Sequence, residues 1–189
     1  MDDVAGLLKE NFEKMLSKSS QLNQKISDLI EFCNRFYKYD KNSKDLSFLE
    51  SLKKKRGVCR HWGMLFRLGL WYILIKGYGG VRVDNWIDLS DINIALKHPV
   101  LYPVGSSYFK VDRVKIGQII YNKHDYTLIS LLEPSGIGYL ILVSSRVSEN
   151  IPGMITKDDV VVRRGSNFSI DLEAFREDYK KFINKLGLV

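Results

Sequence analysis

The first third of the chain repeats its apolar residues at helical spacing. Between residues 4 and 16, Leu8, Phe12, Met15 and Leu16 share one side; after the polar break at 17–20, Leu22, Ile26, Leu29, Ile30, Cys33, Phe36 and Tyr37 resume the pattern. Both segments predict surface helices with one core-facing side. A polar stretch over 39–44 leads into a short helix over 45–54, with Leu46, Leu49 and Leu52 inward and Gly57 as its stop. From Val58 or Cys59 to about Lys76 the residues are apolar on nearly every side, which predicts a buried central helix. Arg60 and Arg67 interrupt that run, so it reads as core rather than as a membrane span.

Beyond the glycines at 77–80 the period changes to alternation. A short strand is expected at 81–83 and a short helix at 88–96. Strands follow around 108–111, 115–121, 124–132 and 138–145, with 133–136 as a hairpin connection, which together predict an antiparallel meander. A further strand at 160–163 precedes a last helix, capped near Ser169 or Asp171, with Leu172, Phe175, Tyr179, Phe182 and Leu186 inward. Helices, a central helix, a sheet and a final helix predict an α+β fold, read as a single domain over 1–189 without repeat or linker.

Composition narrows the class. With 45% hydrophobic and 27% charged residues in a chain of 189, the sequence can bury a core and is neither disordered nor fibrous. The acidic start, Met1-Asp2-Asp3, lacks the positive charge of a secretory signal, and no apolar run reaches the ~18–20 residues of a bilayer span. The expectation is a cytoplasmic, intracellular protein with no membrane partner. Two cysteines, Cys33 and Cys59, are too few for a disulfide framework. With no CxxC and no HxxxH spacing, no metal is expected, and no phosphate-binding glycine motif points to a cofactor. The balance of 29 Lys+Arg against 22 Asp+Glu, net +7, favours acidic partners and leaves nucleic acid among them.

The chemistry is concentrated in Arg56-Gly57-Val58-Cys59-Arg60-His61-Trp62. Cys59 opens the central helix, where unpaired backbone N–H groups and the helix dipole favour an anion, and Arg56 and Arg60 act in the same direction. That is the setting of a reactive thiolate, whereas Cys33, mid-helix on an apolar face, reads as core. A thiolate nucleophile needs an imidazole to pass its proton. His61 lies about 200° around the helix from Cys59; His98 stands before Pro99 in a loop; His124 opens a strand, a rigid place from which to meet a helix start. His124 is therefore the expected partner.

The segment Gly57-Val58-Cys59-Arg60-His61-Trp62-Gly63-Met64-Leu65-Phe66 resembles the nucleophile motif of the transglutaminase-like superfamily, with its papain-like fold. The strand from His124 through Asp125, Tyr126 and Thr127 is similar to that family's histidine strand, and Gly138-Tyr139 to its return. The resemblance covers about 46–145. It implies a cysteine hydrolase or acyltransferase acting on a peptide or amide bond, with Cys59 as nucleophile and His124 as general base and acid. The family places an Asp near the end of the return strand to orient the histidine; here the corresponding positions are Val143, Ser144 and Ser145, so the expected substitute is Ser144 or Ser145, with Asn150 or Glu149 of the next loop as the alternatives. Arg56, Arg60 and Trp62 are the expected substrate- or anion-binding residues. The alternative is a binding module on the same fold, catalytically degenerate, that takes nucleic acid on a basic surface including the run Lys53–Arg56.

Overall fold

The computed structural model describes residues 1–18, 22–78, 82–84, 113–121, 124–132, 138–143, 145, 153–154, 169–170 and 178–188. They belong to an α+β chain that forms two compact units, Met1–Gly79 with Glu173–Val189, and Gly80–Leu172.

In the first unit the helical periodicity is realised as α1 (Asp2–Ser17) and α2 (Leu22–Phe36). They bury Leu8 and Phe12 from one, and Ile26, Leu29, Ile30 and Cys33 from the other. The chain then forms β1 (Lys38–Tyr39) and a single 3-10 turn (Lys41–Ser43). Next comes α3 (Phe48–Lys54), three residues shorter than the periodicity predicts. It starts late because Ser47 caps it: the Ser47 hydroxyl accepts from the Glu50 N–H at 3.2 Å, while the Ser47 N–H donates to the Glu50 carboxylate at 2.8 Å. It also stops before Gly57. Lys55 takes the left-handed conformation (φ 50°) usually left to glycine, and its N–H returns to the Leu52 carbonyl.

After β2 (Arg56–Gly57) runs α4 (Cys59–Gly77), the 19-residue helix at the centre of this unit. Leu65, Phe66, Leu68, Tyr72 and Ile73 are wholly buried, and so is Arg67. Phe12 of α1 meets Tyr72 with ring centroids 5.4 Å apart. Gly69 permits this approach, because a Cβ there would lie 2.6 Å from Leu29 and 2.8 Å from Phe12. The last helix, α5 (Asp178–Lys185), buries Phe182 edge-on against Phe48, with Leu186 just beyond it, as the sequence spacing predicts.

The second unit is built of strands. β3 (Arg82–Asp84) pairs parallel with β4 (Arg113–Tyr121), and β4 pairs antiparallel with β5 (His124–Leu132), from Arg113 opposite Leu132 to Tyr121 opposite His124. β6 (Gly138–Val143) continues antiparallel with Thr127 opposite Val143, and β7 (Gly153–Met154) joins it. Asp125, Thr127 and Ile129 alternate along the buried face of β5. Ser169 differs from expectation: it does not cap a helix, because β8 (Ser169–Ile170) is held in an antiparallel ladder with Ile119 and Ile120. The expected helix at 88–96, the strands at 108–111 and 160–163, the connection at 133–136, and Ser144, Asp171, Leu172 and Phe175 lie outside the described residues.

Candidate active site

The approach to Cys59 is fixed from two directions. β1 and β2 run parallel, with Lys38 opposite Arg56 and Tyr39 opposite Gly57. The Lys38 N–H donates to the Lys55 carbonyl at 3.0 Å, and the Asp40 N–H donates to that of Gly57 at 2.9 Å. Below this pair, the Tyr37 hydroxyl donates to Ser51 Oγ at 2.8 Å, since Ser51 uses its own hydrogen on the Phe48 carbonyl at 2.7 Å. Asp40 accepts from the Ser43 hydroxyl and the Asn42 N–H, which, with the charges of Arg56 and Lys38, hold its carboxyl below the ordinary value. Arg56 lies 3.7 Å from that carboxylate on the surface, where solvent screens the pair.

His61 ties this segment to α4. Its Nδ1 accepts the Val58 N–H at 3.1 Å, which leaves the ring hydrogen on Nε2 to donate to the Leu46 carbonyl at 2.7 Å. This is the neutral tautomer, only 1% exposed, and both nitrogens are used. The arrangement is half of a capping box, with a histidine three residues past the N-cap in place of the usual Glu or Gln. Gly57 is needed here for space rather than as a helix stop: a Cβ would lie 2.7 Å from the Cβ and 2.8 Å from the Nδ1 of His61.

Cys59 is the first residue of α4 and a half-buried free thiol. Arg60 beside it is exposed and donates from Nη2 to the Lys44 carbonyl at 3.0 Å. Trp62 is buried; its indole N–H donates to Asn34 Oδ1 at 2.9 Å and its ring stacks on Phe66 at 5.4 Å. Cys33 is wholly buried, and burial pushes its thiol well above the ordinary value, so it stays neutral and inert. The expected residues Arg56, Cys59, Arg60 and Trp62 thus share one stretch of the first unit. His124 belongs to the second unit, where its backbone opens β5.

Sequence reasoning found the Cys59 segment but missed the capping function of His61. The available signal was the three-residue spacing from Val58 to His61 at a helix start. It also passed over Tyr39, 70% exposed beside the basic run; no sequence signal reveals a pairing between 38–39 and 56–57. Among the described residues no cluster of three or more His, Cys, Asp or Glu is gathered as for a metal ion, and no helix is long and apolar enough to cross a membrane. No protein-family model, curated protein or solved structure matches the chain.

Proposed function

We propose that the chain is a cysteine hydrolase or acyltransferase of transglutaminase-like architecture, acting on a peptide or amide bond. The observation that carries the reading is Cys59 itself: a free, half-buried thiol at the first position of a buried 19-residue helix, on a segment held by hydrogen bonds on both sides. A nucleophile on so rigid a base needs little reorganisation before reaction. The Cys59 sulfur attacks the carbonyl carbon, and the Cys59 N–H in the first turn of α4 donates to the developing oxyanion. His124 passes the thiol proton to the leaving amine. Water or an acceptor amine then releases the acyl group. His61 is excluded from that role by its two structural bonds. Ser144 accepts the His124 ring N–H, and Arg56 and Arg60 favour an acidic substrate. Trp62, with its indole already bonded to Asn34, holds the helix start rather than touching substrate. A thiol that must stay reduced fits the cytoplasm.

The test is iodoacetamide alkylation followed residue by residue by mass spectrometry across pH, in the wild type and in His124→Ala. Cys59 is expected to alkylate readily near neutral pH and at least tenfold more slowly in the variant, while native Cys33 stays unlabelled. Equal Cys59 rates in the two proteins would sink the Cys59–His124 pair.

A further inference from the structure

The β1–β2 pair brings together two basic segments that are well apart in sequence. From residue 38 to 60 the chain carries eight Lys or Arg against three Asp or Glu, a local +5 in a chain of net +7. The sequence alone displays only Lys53–Arg56, which a helix end explains by its dipole. The register sets Lys38 opposite Arg56 and Tyr39 opposite Gly57, directly after the C-cap of α3. Lys38, Lys53 and Lys54 are exposed, and Lys55 lies over the Phe36 ring at 5.9 Å. Among the described residues Tyr39 and Leu7 are the exposed large hydrophobics; Tyr39, at 70%, is far the more open, and it stands in the chain between Lys38 and Asp40, the carboxylate that faces Arg56.

We infer that this surface binds single-stranded nucleic acid. Lys38, Lys53, Lys54 and Arg56 contact successive phosphates, and the Tyr39 ring stacks on one base. The pairing of an open aromatic face with flanking cations separates this ligand from an acidic peptide or an anionic membrane, which would use the charges and leave the ring idle. The inference goes beyond the cysteine chemistry and does not depend on it.

The experiment is fluorescence anisotropy of the full chain with labelled oligo-dT, oligo-U and a DNA duplex, each longer than the ~4–16 nucleotides of a single-strand site. Both single strands are expected to bind more tightly than the duplex, the tighter of them naming DNA or RNA as the source. Affinity should fall as salt rises, with a log–log slope reduced by about 0.7 for each phosphate contact removed in Lys38→Gln, Lys53→Gln and Lys54→Gln. Tyr39→Ala should weaken binding roughly 10-fold with the slope unchanged, Tyr39→Phe should bind as wild type, and Cys59→Ser should leave binding intact. The inference is overturned if no single strand binds at low salt. It is equally overturned if duplex, polyglutamate or phosphatidylserine vesicles bind as tightly and Tyr39→Ala changes nothing.

Discussion

The first turn of α4 and the middle of the same helix are held by different forces. At Cys59–His61 the backbone is positioned by an imidazole bonded on both nitrogens and by a two-residue parallel ladder, with Cys59 half-buried and Arg60 exposed. From Leu65 to Tyr72 the helix is held by apolar contact and aromatic rings, with Gly69 letting α1 and α2 come close. The difference separates two tasks. Packing supplies most of the stability, since transfer of apolar surface from water is the dominant favourable contribution to folding. Directional hydrogen bonds supply position, which packing alone does not provide at a half-exposed turn.

The strongest way to break the comparison is to cut the middle. Phe66→Ala removes a wholly buried ring stacked on Trp62 and should destabilise the chain by about 3–5 kcal/mol in urea unfolding. A loss below 1 kcal/mol would mean that packing is not what holds this stretch. His61→Ala attacks the turn instead. It leaves the Val58 N–H and the Leu46 carbonyl without their partner, at an expected cost of about 2–4 kcal/mol. Gly57→Ala should move in the same direction by a different route, because its methyl group displaces the same imidazole. If His61→Ala is neutral in stability while it slows Cys59 alkylation, the ring is an acid–base group and the structural assignment is wrong.

Legibility followed the same division. The middle of α4 was readable because continuous apolar character over some five turns has one meaning in a chain without a membrane-length run. The inward faces of α1 and α2, and Phe182 and Leu186 near the chain's end, were readable from period alone. What failed was local and directional. Ser47 moved the start of α3, and Lys55 ended it in a conformation that propensity assigns to glycine. Ser169 entered a ladder because Ile119 and Ile120 offered a partner strand, a tertiary fact with no local signal. The change of compact unit falls beside the glycines at 77–80, where the sequence announces only a helix stop. At the site, the segment around Cys59 was visible as a motif; the bonds of His61 to Leu46 and of Trp62 to Asn34 were not, since those partners lie 15 and 28 residues away.

The smallest effect is expected where both sides of the comparison are weakest, at the exposed cap of α3. Ser47→Ala removes the hydroxyl that accepts the Glu50 N–H and should cost ~1 kcal/mol, less than either change in α4 because water can replace the bond. Its partner makes the cap sensitive to pH. The Ser47 N–H, then the Ser47 hydroxyl, hold the Glu50 carboxyl below its ordinary value. A carboxyl depressed in the folded state contributes stability above its unfolded value near ~4.3, and that contribution is lost as pH falls through the folded value. Urea unfolding of wild type and Glu50→Ala should therefore show a gap at pH 7 that narrows below about pH 4. A gap that persists unchanged into acid would assign the effect to helix packing rather than to the charged cap. The basic segment that follows α3 would then owe its position to the β1–β2 ladder alone.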